Sequence, residues 1–558
     1  MKVRKKSAVL PELPEPAGEA QGPPAPGPAP HATPATSKRL PWIVFGFAFA
    51  LLAVTLRDAV VDGFDGDALG HLSPATLEFA QHPWKPFMLK GDPGHPILFA
   101  WVVGVLYRVF GVTNALPHLA TWVLSALLLT KVFELGEHAG GALGARAARA
   151  TGVVAALLLF FHPMFISQAA DYLSEMPNAA FMAAAALATL RGKTRAATVW
   201  LSLLLLTRLS GVATFGAFTV FAGALVLLGL RRGEEFRTLV VKHVGPLFVS
   251  GLVFSAYLFV KIFVVKLPLT QFAGNNKWRS LAEIFGGYLR RVLYEAWVVP
   301  RLGLWVLLVV GAAGVLVWTF RERVPGESRV SGTVSLLGLV AVANLAFYAA
   351  NFNYPQPRYF LVTYPFPIVA GAFGLLVLSR ARLAIYAPLV ALWGGLLLVS
   401  WHGRTIAAVT AASPRLGRLL EMPHPPGTNL TQRDRIAYYE KLSRELEAMP
   451  ERPLVFGLYP TVAVLHMPSG GFVERGFDGG SLNPFPDTGP LVAAACGLRA
   501  SRAPDAPILM VVSSWDVTGP AHRVRLQADP RFRLRASATP FAGSWAEVYE
   551  LEDCRPSI

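Results

Sequence analysis

Apolar residues run along this chain in long blocks separated by short polar turns, without the alternation of a half-buried strand. A helix needs about twenty mostly apolar residues to cross a bilayer. Blocks of that kind fall at 40–57, 116–134, 150–166, 176–190, 196–211, 212–230, 243–266, 301–320, 331–350, 358–379 and 382–401. They predict about eleven crossings. One further run, H-P-I-L-F-A-W-V-V-G-V-L-Y-R-V-F-G at 95–111, is either a twelfth span or a short helix lying along the interface. The choice matters because one extra crossing reverses every later loop.

After residue 401 the pattern changes. T-Q-R-D-R-I-A-Y-Y-E-K-L-S-R-E-L-E reads as an amphipathic helix, while P-L-V-F-G-L-Y, P-I-L-M-V-V-S and W-A-E-V-Y-E-L read as strands. The expected fold is therefore mainly α: a polytopic transmembrane helical bundle over 40–401, followed by an extramembrane α/β domain over 402–558. Residues 1–39 form a Pro/Ala/Gly-rich tract that cannot bury enough apolar surface to fold, and read as a disordered cytoplasmic tail. About thirty residues separate the first basic cluster from the first apolar block, so that block reads as a retained helix and not as the core of a cleaved signal peptide.

Composition agrees: 53% of residues are hydrophobic, 15% are charged and the mean hydropathy is +0.45. That is too apolar for an ordinary soluble enzyme. The net charge of +16 does not point to nucleic acid, because Lys and Arg sit in short loops between apolar blocks, where they set topology. If 95–111 lies along the interface, fifteen basic residues share one side: Lys131, Arg146 and Arg149; Arg191, Lys193 and Arg195; Arg231, Arg232, Arg237 and Lys242; Arg321, Arg323 and Arg329; Arg380 and Arg382. The opposing short turns carry only Arg208 and Arg358. The positive-inside rule selects that parity, with the N-terminus inside and the C-terminus outside. The two cysteines, Cys496 and Cys554, can form a disulfide if their region is exported.

This topology gathers acidic residues on the external face. V-D-G-F-D-G-D-A-L-G-H places Asp62, Asp65 and Asp67 at the start of a long external loop over 58–115, which also holds K-G-D-P-G-H-P with His95. A second external turn, H-P-M-F-I-S-Q-A-A-D-Y-L-S-E-M-P, carries Asp171 and Glu175 at a spacing that would share one face of a helical turn. A third, N-F-N-Y-P-Q-P-R-Y-F-L-V-T-Y-P, sets Arg358 and Tyr359 at a helix mouth. The loop over 267–300 suggests an interfacial helix with Tyr288, Tyr294 and Trp297 at headgroup level. Each feature has a plainer reading. Aspartates are common in solvated turns, Glu175 can complement a helix dipole, and His95 can serve as a helix-entry residue. Arg358 can anchor at the interface, and Arg208, near the outer end of an apolar run, reads as snorkelling.

In order along the chain, D-G-D-A-L-G-H, G-H-P-I-L-F-A-W-V-V-G-V-L-Y-R-V-F-G, S-Q-A-A-D-Y-L-S-E-M-P, L-L-T-R-L-S-G and P-R-Y-F-L-V-T-Y-P resemble the motifs of the GT-C superfamily of membrane glycosyltransferases. That superfamily includes the protein O-mannosyltransferases and the lipid A aminoarabinose transferases. The likeness spans about 40–400. Two departures stand out. The family's usual Asp-Glu is here Asp65-Gly66-Asp67, and Glu175 stands where many relatives have Asp.

The resemblance implies transfer of a sugar from a polyprenyl-phosphate donor to a lipid, glycan or protein acceptor at the outer face of the inner membrane. Asp67, Asp65 and Glu175 would be its catalytic carboxylates, with Asp67 the first choice as base toward the acceptor hydroxyl. His95, Asp171, Arg358 and Tyr359 would bind substrate, the cations meeting the leaving phosphate. A divalent metal between the first-loop acids and Glu175 is a further option. Two readings of other classes compete. Transporters and lipid flippases place charges at mid-membrane on broken helices and show internal repeats, whereas here the acids sit in external loops and no repeat is evident. A non-catalytic envelope-assembly scaffold would tolerate loss of both acidic clusters.

Overall fold

The computed structural model describes residues 39–57, 60, 72–83, 98–113, 115–264, 266, 279–294, 296, 303–321, 328–351, 356–379, 382, 385–392, 430–457, 479–482, 485, 487–502, 504–514, 519–540 and 543–554. Asp62, Asp65, Asp67, His95 and the tail over 1–38 lie outside them.

Ten of the eleven apolar blocks lie mostly within described helices, while most of the block at 382–401 lies outside the described residues: α1 Leu40–Thr55, α2 Ser73–Gln81, α3 Leu98–Phe110, α4 Ala115–Gly140, α5 Ala145–Phe160, α6 Pro163–Ala169, α7 Glu175–Leu190, α8 Thr194–Leu205 and α9 Gly211–Arg231. They continue as α10 Phe236–Val264, which contains π turns at Val240–Val244 and Val260–Val264, then α11 Gly303–Arg321, α12 Ser328–Asn351 and α13 Pro365–Leu378. Two expected spans are broken, each at proline. The block at 150–166 stops at Phe160, and His162 caps a new helix whose first residue is Pro163. The block at 358–379 opens as a 3-10 segment, Pro357–Thr363, and bends by 55° into α13. Proline lacks an amide hydrogen and crowds the preceding turn, so a helix starts at such a residue more readily than it runs through it.

Among the described residues, four helices are long and apolar enough to cross a membrane, or five if the bent pair is one span; α1, α3, α8 and most of α11 are shorter apolar helices. Their outer faces are apolar: Phe236, Val241, Phe248, Leu252, Phe259 and Phe263 along α10 are all exposed. Such a surface suits lipid, where intrahelical hydrogen bonds satisfy the backbone.

Without a hydrophobic drive between helices in lipid, close approach of small residues and internal polar contacts hold a bundle together. The bundle uses both, the first where α11 meets α13. A Cβ on Gly314 would lie 2.2 Å from Gly374 Cα, so neither position admits a side chain without parting the helices. Asn344 on α12 donates to Thr214 Oγ1 on α9 at 2.9 Å. At the C-terminal end of α7, Arg191 and Lys131 each reach the buried Glu134 at 2.6 Å.

A smaller cluster joins α2 and α3 to the turn before α7. Leu72, Phe79, Phe99, Tyr172 and Leu173 pack together. Tyr172 OH and Thr76 Oγ1 share a hydrogen bond of 2.8 Å.

The C-terminal region is an α/β unit, as expected. Its sheet runs β2-β1-β3-β5-β4, with β1 Leu454–Gly457, β2 Gly479–Ser481, β3 Ile508–Ser513, β4 Phe532–Ala538 and β5 Ala546–Leu551. The β1 strand pairs in parallel with β2 and β3, while β5 is antiparallel to β3 and β4. Helices α14 Leu430–Glu447, α15 Thr488–Arg502 and α16 Gly519–Ala528 accompany it. Cys496 and Cys554 form a disulfide across 58 residues.

Candidate functional site

The site grows from the start of α7. Pro177 lies in that helix's first turn, where its missing amide costs no hydrogen bond. The helix therefore begins at Glu175, with Ser174 before it. A carboxylate in this position meets the positive end of the helix dipole. Burial makes more of it than a dipole partner: Glu175 is only 4% exposed.

The turn between α8 and α9 carries Arg208. Its Nη1 lies 2.7 Å from Glu175 Oε1 and donates to Ser174 Oγ at 3.0 Å. The 3-10 segment before α13 carries Arg358, whose Nε stands 3.6 Å from the same Glu175 oxygen. The ring of Tyr359 adjoins both guanidinium groups, at 4.8 Å from Arg208 Cζ and 5.5 Å from Arg358 Cζ. Beside it, Tyr348 of α12 stacks on Tyr359 with centroids 5.6 Å apart and planes 12° from parallel. Cations against an aromatic face gain from its quadrupole, more so when desolvated. Four chain segments thus contribute to one cluster, and among the described residues its two arginines outnumber its carboxylate.

Arg208 corrects the sequence reading. A snorkelling arginine would extend away from the bundle, but this one is 8% exposed and ion-paired inside it. The signal was present: a charge inside an apolar run normally faces a partner. Nothing in the sequence says which carboxylate that is. Ser174 and Tyr348 were likewise missed, being unremarkable residues whose role comes only from their neighbours.

Asp171 sits in the non-helical break between α6 and α7, so it does not share a helical face with Glu175 as the spacing suggested. Its Oδ1 accepts from the amide of Tyr172 at 2.8 Å. Tyr172 belongs to the cluster formed by α2 and α3, each of which follows one of the first-loop motifs in sequence. The α3 end also meets the arginine end of α8: Leu98, three residues after His95, donates its amide to Leu206 O at 3.1 Å. His162, at the start of α6, packs its ring 4.8 Å from that of Tyr364, the residue at the bend.

Among the described residues no three His, Cys, Asp or Glu side chains come together as a metal site. The surroundings of Glu175 do not suit a divalent cation, because two guanidinium groups already approach its Oε1 and the ion would add like charge beside them.

A bundle of apolar helices broken at proline beside buried charges, followed by an α/β region, is a fold this chain shares with a solved membrane-enzyme structure. The likeness is to ArnT from Cupriavidus metallidurans. In its apo state the TM-score is 0.51 at 15% identity, and bound to undecaprenyl phosphate it is 0.50 at 14%. In both, 92% of this chain matches 98% of that one. AglB from Archaeoglobus fulgidus, in complex with an inhibitory peptide and a dolichol-phosphate, aligns at 12% identity over 91% of this chain and 74% of its own, with a TM-score of 0.49. No family model and no curated protein matches the sequence.

Proposed function

We propose that this protein transfers a sugar from a polyprenyl-phosphate carrier to an envelope acceptor, a lipid, glycan or protein, at the outer face of a bacterial inner membrane. The observation that carries the reading is the cluster of Arg208, Arg358 and Glu175 at one end of the bundle, where two cations converge in a desolvated setting suited to a lipid phosphate. The ArnT structure bound to undecaprenyl phosphate supports a carrier of that class.

In this reading Asp67, or Asp65 beside it, takes the proton from the acceptor hydroxyl as that oxygen bonds to the anomeric carbon of the sugar. The bond from that carbon to the phosphate oxygen breaks, its electron pair leaving with the lipid phosphate. Arg358 and Arg208 offset the charge that develops there, joined by His95 from the first external loop. Asp171 and Tyr359 line the same end. The Thr76–Tyr172 hydrogen bond and the Leu98–Leu206 contact support this grouping, since they bring helices within the first external loop against the turns beside Asp171 and Arg208.

Orientation follows from charge. About eleven crossings with the N-terminus inside leave Lys131 and Arg191 on the cytoplasmic side, and put Glu175, Arg208 and Arg358 on the other. Their observed grouping at opposite ends of α7 fits this, as does a disulfide in the C-terminal domain, since such bonds persist in oxidising compartments. The domain order is a tail over 1–39, the membrane domain over 40–401 and a periplasmic α/β domain over 402–558 that selects the acceptor. The bent pair at Pro357–Thr363 and α13 is the feature that favours a carrier as second reading, because carriers bind substrates at broken helices.

Membranes holding Asp65→Asn, Asp67→Asn or Glu175→Gln, assayed for transfer from radiolabelled prenyl-phosphate sugars, test the proposal. Wild-type turnover in all three sinks the site; movement of the labelled lipid without transfer selects the carrier.

A further inference from the structure

The resemblance makes Glu175 a catalytic carboxylate, yet its surroundings are those of a residue that acts through others. We infer that Glu175 is a positioning residue: it bridges Arg208 and Arg358 through one oxygen so that both guanidinium groups face the phosphate of the lipid-linked donor. This rests on the function proposed above and assigns Arg208, from L-L-T-R-L-S-G, to that phosphate.

Three observations carry it. First, both cations approach the same atom, Glu175 Oε1, at 2.7 and 3.6 Å, from segments that are remote in sequence. Two guanidinium groups repel, and a shared carboxylate oxygen is the simplest device that lets them sit side by side. Second, all three side chains are buried, Glu175 the most deeply at 4% exposed against 9% and 10% for Arg208 and Arg358, and the exposed fraction of the cluster belongs to its cations. A general base must come within hydrogen-bond reach of the proton it takes. Third, the cations are held on other sides too. Ser174 Oγ accepts from Arg208 Nη1, and the Tyr359 ring, stacked on Tyr348, adjoins both guanidinium groups. Arginines fixed before binding lose little freedom when an anion arrives, which is the purpose of such a frame.

The test uses the purified full-length protein in detergent, with Glu175→Gln, Glu175→Asp, Arg208→Gln and the double variant Glu175→Gln/Arg208→Gln. It measures steady-state transfer from a polyprenyl-phosphate sugar across pH, and thermal stabilisation by undecaprenyl phosphate alone. Glu175→Gln is expected to raise donor KM about tenfold or more and to weaken undecaprenyl phosphate binding in step, leaving the acid limb of the kcat profile in place. Glu175→Asp should recover part of the binding. The double variant should fall well short of the product of the two single defects, because one of the two arginines that Glu175 holds is already gone and only Arg358 is left to position.

Glu175→Gln with donor KM unchanged, kcat reduced at least about a hundredfold and the acid limb lost would overturn the inference. So would defects that multiply in the double variant. Should Glu175→Gln fail to fold, Glu175→Asp decides: folded protein with weaker undecaprenyl phosphate binding and the acid limb of the kcat profile kept supports the role, and wild-type binding with the acid limb moved ends it. A wild-type chain that neither transfers sugar nor is stabilised by undecaprenyl phosphate removes the functional reading and this inference together, whereas active wild type with multiplying defects removes this inference alone.

Discussion

Arg208 Nη1 and Glu175 Oε1 lie 2.7 Å apart, joining the turn after α8 to the start of α7 within the buried part of the bundle. Neither residue lies on a helix that would bring it to the other by local spacing. The pair is a tertiary contact, and stability should report it. Removing one partner of a buried ion pair leaves an uncompensated charge and typically costs about 3–5 kcal/mol, whereas neutralising both can be nearly neutral. Glu175→Gln, which takes the carboxylate from both arginines, should therefore lower the melting temperature of the purified protein by several degrees, and adding Arg208→Gln should restore part of it. A single-variant melting point equal to wild type would show that the pair is not formed.

Transfer should depend most steeply on the first external loop. Loss of a general base usually costs about a hundredfold to ten-thousandfold in rate. Asp67→Asn is expected in that range, with donor binding retained, and Asp65→Asn to be milder. Initial rates under donor saturation distinguish the two, and a reversed order would move the base to Asp65.

The Thr76–Tyr172 hydrogen bond ties α2 to the turn that holds Asp171. Thr76→Val removes the partner that Tyr172 OH has there, at about 1–3 kcal/mol, whereas Tyr172→Phe should cost less because Thr76 still donates to Leu72 O. The double variant should cost less than the sum of the singles. If the two loops work together, each single variant should also slow transfer; full activity with reduced stability would confine the contact to folding.

Gly314 and Gly374 let α11 and α13 touch, and α13 continues directly from the segment bearing Arg358. Gly314→Val forces the helices apart, and overpacking of this kind costs about 1–3 kcal/mol or more. Reduced thermal stability and weaker stabilisation by undecaprenyl phosphate are expected together.

Closing a loop of 58 residues with the Cys496–Cys554 disulfide stabilises the folded state by about 4 kcal/mol in the chain-entropy account. Reduction should lower the unfolding temperature reported by probes in the C-terminal domain. A membrane-impermeant maleimide should label these cysteines from the outside of spheroplasts, only after reduction; labelling from the cytoplasmic side alone would reverse the assigned topology.

Much of the architecture was legible because membranes impose simple rules. The blocks at 176–190 and 212–230 became α7 and α9 with ends shifted by a residue or so, since an apolar run long enough to span has few alternatives to a helix. Breaks were harder to see. Pro163 and Pro365 stand inside apolar runs, and hydropathy counts proline as part of the span while backbone geometry ends the helix there. In the C-terminal domain β1, β3 and β5 were readable as buried runs. The β4 strand, R-F-R-L-R-A-S-A in its setting, was missed because it is an exposed edge whose side chains, Arg533 and Arg535 among them, mostly face water.

The sequence alone determined that the chain enters a membrane, which loops are basic, and which of its charged residues stand near helix ends, because each of these depends on composition within a single segment. Only the tertiary structure decided that Glu175 answers Arg208 and Arg358 and that Asp171 lies outside the helix of Glu175. It alone paired the two cysteines. Such pairings depend on which helices become neighbours, and in a bilayer that choice is made by packing of small residues and by the cost of leaving a buried charge alone.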